Sequence, residues 1–259
     1  PFCRPPHSGG MEVFAVPGLP EVRPGDDLAA LIEQQVRLRP DDVVVVASTV
    51  VSKAEGRTAA LSDFEPSARA REVAERLTEL TGEAKDPRFA QAVIEESEAL
   101  LLSAPFLLTK TRFGHTTVNA GIDRSNVPDA DLLLLPEDPG ASAQALSEAL
   151  DRPVIVSDTS GRPFRHGQRG VALGWAGIPA SRDWRGELDR DGRELDVTVQ
   201  SVVDELAAAS NLVAGEGGGG TPVTVVRDWQ FGDHDGSDEL FRDRADDLVR
   251  QALEAWEYP

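Results

Sequence analysis

Apolar and polar positions alternate in short blocks along this chain, and the blocks predict interleaved strands and helices. Glu12–Val16 reads as a strand, ended by the turn Pro17-Gly18-Leu19-Pro20. A helix is expected from about Asp27 to Leu38, with Asp27 in N-cap position. The run Val43–Val46, extended through Val50 and Val51, has the β-branched character of a buried strand. Helices are expected over Pro66–Leu80 and Pro87–Leu101. In the second, Ala92, Ile94, Leu100 and Leu101 are apolar while Glu95, Glu96 and Glu98 face water. Phe106–Thr109 and Thr116–Asn119 read as a hairpin around Phe113-Gly114-His115.

Further on, Leu132–Leu135 is followed by a Pro/Asp turn, a helix at Ala141–Leu150 and a strand at Pro153–Val156. Gly170–Ala176 suits another strand. The longest helical pattern, Glu194–Ala214, ends at the glycine cluster Gly215–Gly220. A strand at Pro222–Val226 and a polar helix from about Asp238 to Trp256 complete the pattern. No fixed-period repeat or linker interrupts it. The expected fold class is α+β (mixed α/β), with mixed sheets and flanking helices, lacking the regular βαβ rhythm of a doubly wound sheet.

Composition narrows the picture. A chain of 259 residues with 40% hydrophobic and 27% charged residues can bury a sizeable core. Its only cysteine, Cys3, rules out an intramolecular disulfide and a cysteine zinc cage. No apolar run approaches the ~18 residues of a membrane span, and no signal peptide is visible, so a cytoplasmic protein is expected. Residues 1–10 resemble nothing that follows, and the only methionine is Met11. A leader or tag remnant is expected there, with one functional domain over 11–259, divisible into two structural subdomains.

Charge sharpens this further. Forty-five acidic against 26 basic residues give a formal net charge of −19, which repels nucleic acid and anionic membranes alike. Only Lys53, Lys85 and Lys110 are lysines. An acidic, lysine-poor surface suits a halophilic cytoplasm, where salt screens self-repulsion; a GC-rich genome favouring arginine is the other source of the same bias.

Several segments carry candidate chemistry. Ser48-Thr49-Val50-Val51-Ser52-Lys53 runs on to Arg57, and its hydroxyls and cations suit phosphates. A solvated turn lysine gives the same pattern. Asp123 and Asp158 each follow an apolar strand, and Thr159 adds an oxygen beside Asp158, an oxygen chemistry suited to Mg²⁺ or Mn²⁺. Asp after a strand is also a common turn former. In Ala214–Thr221, consecutive glycines permit close approach of a phosphate, and Glu216 offers a further carboxylate; a flexible helix end is the alternative. The basic island Arg162, Arg165, His166 and Arg169 suits an anionic substrate or merely an ion-paired surface loop. The histidines form no nucleophilic triad. Trp175 and Trp184 are candidates for ring stacking or core packing.

The motifs VVVVASTVVSKAEGR, VNAGIDRSNV, VSDTSGRPFRHG and LVAGEGGGGTPV, in this order, resemble the coenzyme F-420:L-glutamate ligase family. The flanking stretches PSARA, VIEESEALL, DWRGELDRDGREL and VTVQSVVDELAAASNL extend the likeness from Val13 to Arg227. The resemblance implies an acid–amino-acid ligase (a peptide synthase). Such an enzyme uses GTP to add L-glutamate to coenzyme F-420-0 through an acyl phosphate, giving γ-linked polyglutamate. It further implies an intertwined homodimer, two divalent cations (Mg²⁺ or Mn²⁺) and stimulation by K⁺. GTP contacts are implied at Leu19, Pro20, Glu21, Val22, Ser48, Thr49, Lys53 and Asn126. They continue through Ala214, Gly215, Glu216, Gly217, Gly218, Gly219, Gly220 and Thr221.

One metal is implied at Asp123 and Asp158, a second at Thr159 and Glu216, and catalytic roles fall to Lys53, Asp123 and Asp158. The chain departs from the family at Glu21, where an apolar residue is usual, and at Ala214, where Met is common. Two other readings compete. One is a GTP-binding regulatory or scaffold protein without turnover, the other a same-scaffold ligase acting on another phosphate-bearing acid.

Overall fold

The computed structural model describes residues 10–124 and 130–256. Two compact units divide the chain: one runs to Ala54 and again from Asp138 to Leu240, the other takes Glu55–Glu137 and the chain from Phe241 onward. The first unit opens with β1 (Glu12–Ala15), α1 (Leu28–Gln35), β2 (Val43–Ala47) and α2 (Ser48–Ala54). The second contributes β3 (Thr58–Ala59), α3 (Ala68–Thr81), α4 (Pro87–Glu95) and β4 (Ser97–Leu102). Then come β5 (Leu108–Thr111), β6 (Thr116–Val118) and β7 (Leu132–Leu133). The chain returns to the first unit with α5 (Pro139–Leu150), β8 (Val154–Arg162), β9 (Arg165–Ala176) and β10 (Ser181–Asp183). There follow β11 (Val199–Ser201), α6 (Val202–Ala214), β12 (Val223–Arg227) and β13 (Asp235–Ser237). Last, in the second unit, is α7 (Leu248–Glu254).

The first unit is built on a mixed sheet in the order β1-β12-β2-β8-β9, in which only β2 and β8 run parallel. Strand alternation explains its valine runs. Val44, Val46, Val154 and Val156 face Leu28 and Ile32 of α1 and Ala143 and Leu150 of α5. Val43, Val45 and Ile155 face Val202, Val203 and Leu206 of α6. With both faces covered, Val43–Ala47 and Val154–Val156 are apolar at every position. A bulge in the β8–β9 ladder skips Leu173 and reverses the side each later residue faces. Gly170 therefore lies against the Ala207 backbone of α6, and Gly174 against the Pro139 backbone of α5.

In the second unit, α3 and α4 pack Val73, Leu77 and Val93 against Leu107, Ile122, Leu132 and Leu134. Ser67 and Asp86 cap these helices by accepting from the Ala70 and Arg88 amides, and Gly82 ends α3 in the left-handed conformation. The expected hairpin is present, with β5 and β6 antiparallel and β4 added as a third strand. The α+β class with mixed sheets and flanking helices is what the structure has. No helix among the described residues is long and apolar enough to cross a membrane.

Four expected elements come out differently. The strand expected to continue through Val50 and Val51 stops at Ala47, and α2 begins at Ser48. An unbroken apolar run does not separate a strand from a buried helix, and both valines still reach the core. The helix expected to Leu101 ends at Glu95, because Ser97–Leu102 pairs with β5; strand pairing overrides the helix propensity of Glu, Ala and Leu. The helix expected from Glu194 begins only at Val202, since Val199–Ser201 joins β10. The terminal helix expected from Asp238 shrinks to Leu248–Glu254. Residues 1–9 of the expected leader lie outside the described residues.

Candidate functional site

In the first unit, α2 turns straight out of the sheet centre and places Ser48 and Ser52 in the core, with Thr49 half-buried. Lys53, in its last turn, keeps only 14% of its side chain exposed and donates to Glu21 Oε1 at 2.6 Å. Glu21 sits on the turn after β1, flanked by Leu19, which packs on the core, and the buried Val22. The Gly25 amide donates to the Ala54 carbonyl at 2.8 Å, tying the segment after this turn to the end of α2.

Asp158 and Thr159 do not follow a strand, as the sequence pattern implies, but lie within β8, opposite Val171 and Gly170. Consecutive strand positions project to opposite faces, so the two donors point apart. Asp158 Oδ1 accepts from the Thr159 amide at 2.8 Å. Beyond them β8 and β9 continue as a two-stranded arm. Arg162 pairs with Arg165 across its turn and Ser160 with Arg169, while Phe164 adopts φ 64° at a fully exposed tip. The basic island is thus a hairpin end rather than a loop, and no ion pair among the described residues engages Arg162, Arg165 or Arg169.

The glycine loop joins α6 to β12. Gly215 and Gly220 have φ of 74° and 62°, and side chains added at Gly215, Gly217, Gly218 or Gly220 would meet open space. The loop is closed at its base by Thr221 Oγ1, which donates to the Ala214 carbonyl at 3.1 Å. Glu216 is held by Asn211, whose Nδ2 donates to Glu216 Oε1 at 2.7 Å. Sequence reasoning missed Asn211; its spacing five residues before Glu216, at a helix end, carries no motif.

In the second unit, Asp123 exchanges both backbone hydrogen bonds with Leu133, at 2.9 and 2.8 Å. The approach to it is unusual: Asn119, Ala120 and Gly121 have φ of 55°, 54° and 69°, three successive left-handed residues. For a non-glycine residue this conformation costs on the order of 1–2 kcal/mol. Buried Thr109 stabilises the turn, its Oγ1 accepting from the Ala120 amide and donating to the Thr117 carbonyl, both at 3.0 Å. A Cβ on Gly121 would lie 2.4 Å from Leu135 Cδ1, so glycine is needed there for space as well as φ. Arg57, a cation marked by its sequence position, braces this unit through Glu96 at 2.5 Å and the Leu135 carbonyl at 2.9 Å. Asn126 lies outside the described residues.

Trp175 and Trp184 both make contacts within the first unit. Trp175 packs on the core and donates to Asp238 at 3.2 Å. Trp184 donates to Gln200 at 3.1 Å and stands between Arg182, 4.9 Å from its ring centre, and His234, at 4.2 Å. Perturbed carboxyls lie elsewhere. Asp183 is held down to about 2 by the Arg185 guanidinium and the Arg185 amide. Burial alone would raise the Asp42 pKa, but its hydrogen bonds with Arg227 and the Arg39 amide hold it below the ordinary value.

Asp123, Asp158, Thr159 and Glu216 each offer oxygen donors, the ligand chemistry of Mg²⁺ and Mn²⁺. Asp123 belongs to the second unit and the others to the first. Among the described residues, no three His, Cys, Asp or Glu side chains gather into a metal cluster.

Residues 18–228 match the family model for F420-0:Gamma-glutamyl ligase. The chain is 73% identical over 250 residues to the coenzyme F420:L-glutamate ligase of Halorubrum lacusprofundi, covering 96% of this chain and 99% of that protein. Identity to the protein of that name from Natronomonas pharaonis is 70% over 248 residues, 96% and 98% of the two chains. The Archaeoglobus fulgidus protein of the same name is 48% identical over 249 residues, 94% and 98%. With a match spanning both units and every described candidate residue, this chain belongs to the F420-0:gamma-glutamyl ligase family.

Proposed function

We propose that this protein is a GTP-dependent ligase that joins L-glutamate to coenzyme F-420-0 and extends the product through γ-glutamyl links. The observation that carries the reading is the family match over residues 18–228, which contains Lys53, Asp123, Asp158, Thr159 and the whole glycine loop. The names of the relatives supply the acceptor and the amino acid.

In this reading the Lys53 ammonium, on a short rigid helix, binds the nucleotide phosphates as a point charge. Ser48, Thr49, Asn126, the Leu19–Val22 turn and Ala214–Thr221 complete the GTP contacts. Asp123, Asp158, Thr159 and Glu216 would hold the divalent cations, whose charge would offset that of the phosphates. The substrate carboxylate oxygen bonds to the γ-phosphorus as the bond to the β–γ bridging oxygen breaks, giving an acyl phosphate and GDP. The neutral amine of glutamate then bonds to the activated carbonyl carbon, phosphate leaves and the nitrogen gives up a proton. Coupling to phosphoryl transfer is required because a carboxylate and an ammonium do not condense in water. The cationic arm of Arg162, Arg165, His166 and Arg169 is the proposed receptor for the substrate's anionic groups. A homodimer and stimulation by K⁺ belong to the same proposal.

Incubation with F-420-0, glutamate, GTP and Mn²⁺, followed by mass spectrometry, tests it. A gain of one or more glutamyl units with formation of GDP is expected. No gain across metals and salts would remove the reading in favour of a nucleotide-binding protein without turnover. Replacing GTP by ATP tests the nucleotide, and light scattering on the purified protein tests the dimer.

A further inference from the structure

We infer that Glu21 is an exchangeable counter-ion for Lys53, so that a polyphosphate reaching this lysine displaces a tethered carboxylate. The inference rests on the proposed phosphate role of Lys53. Its physical basis is an asymmetry within one ion pair. Lys53 keeps 14% of its side chain exposed and Glu21 66%, at a contact of 2.6 Å. A largely buried ammonium is costly to leave without a counter-ion, whereas an exposed carboxylate returns to water at little cost. Among the described residues Glu21 is the only ion-pair partner of Lys53. The backbone around the carboxylate is anchored: Val22 is buried, the Arg23 amide donates to Asp26 at 2.7 Å and the Gly25 amide to the Ala54 carbonyl at 2.8 Å. The Glu21 side chain therefore stays beside Lys53 and can swing away without moving the chain.

The exchange selects by charge. An anion carrying several charges and several acceptor oxygens outcompetes one tethered carboxylate, and a monoanion does not. Glu21 thus reserves Lys53 for polyphosphates at the expense of absolute affinity.

The three lysines make the test direct, because Lys85 and Lys110, paired with Glu83 and Glu98, serve as internal references. Amine acylation rates are read by peptide mass spectrometry in the wild type and in Glu21→Gln, with and without GTP and Mg²⁺. GTP affinity is measured by calorimetry in parallel. The variant should label Lys53 about three- to tenfold faster and bind GTP tighter by a similar factor, with GTP protecting Lys53 in both proteins. Protection by GTP with unchanged labelling and affinity in the variant would overturn the counter-ion inference and leave the phosphate reading standing. Absence of protection in both proteins would overturn the phosphate role and this inference together.

Discussion

Asp42 and Arg227, 185 residues apart in sequence, close a two-pronged hydrogen-bonded ion pair of 2.8 and 2.7 Å where β2 begins and β12 ends. The Asp42 side chain is 1% exposed and that of Arg227 12%, and the guanidinium also lies 4.9 Å from the centre of the Phe14 ring. Asp42→Asn leaves a buried cation without its counter-charge and should destabilise the protein by about 3–5 kcal/mol, read as a lowered denaturant midpoint. The wild-type pair also predicts a pH dependence. Because the Asp42 pKa is lowered from 3.8 on folding, its stabilisation is present above that value and is lost as pH falls through the native pKa. The variant should show a shallower acid limb in the unfolding free energy.

Gly170 and Gly174 make opposite close approaches that only glycine permits. A Cβ would lie 2.3 Å from the Ala207 carbonyl oxygen at Gly170 and 2.2 Å from the Pro139 carbonyl carbon and oxygen at Gly174. Either change to alanine pushes backbone against backbone and should cost about 1–3 kcal/mol or more. Gly161→Ala, which meets nothing within 4 Å, should be neutral or slightly stabilising, about 0.4–1 kcal/mol. Thermal unfolding of the three variants side by side checks the contrast.

Thr109→Val keeps the shape of a fully buried side chain and removes the hydroxyl that supports the left-handed turn before Asp123. A buried amide left without an acceptor costs about 1–3 kcal/mol. Hydrogen exchange of the Ala120 amide should accelerate by about tenfold or more, while amides in the first unit stay as they were. Unchanged exchange at Ala120 would show that the turn does not depend on Thr109.

Asn211 tests the metal assignment of Glu216 without touching a proposed ligand. Asn211→Ala frees a carboxylate that the assignment needs oriented, and removing such a partner typically weakens metal affinity by about 10–100-fold. Mn²⁺ titration followed by electron paramagnetic resonance would measure this. The more severe Asp158→Asn should abolish metal-dependent ligation in a folded protein, and near-normal turnover by that variant would remove Asp158 from the metal site.

Salt dependence separates the two sources of the −19 charge. An acidic surface adapted to salt predicts an unfolding midpoint that rises, and activity that persists, at molar KCl. A sharp loss of activity there assigns the arginine bias to genome composition instead.

Much of the scaffold was legible because alternation and apolar runs depend only on which side of an element is covered. The valine run of β2, the β5–β6 hairpin and the Ser67-to-Gly82 helix need only local patterning and caps. The errors lie where a partner distant in the chain decides. Ser97–Leu102 has helix-forming residues but leaves helix for strand beside β5, and Val50 and Val51 leave strand for helix. The site shows the same division. Residue types and motif order mark Lys53, Asp123, Asp158 and the glycine loop as candidates, since phosphates and hard cations favour ammonium, carboxylate and bare backbone. Their supports were invisible there. Glu21 reaches Lys53 across 32 positions, and Thr109 reaches Ala120 across 11, contacts that exist only once strands and turns have packed. The scarcity of cations is a property of the composition; which carboxylate each cation meets is decided by the fold, because an ion pair acts over ångströms in space and not along the chain.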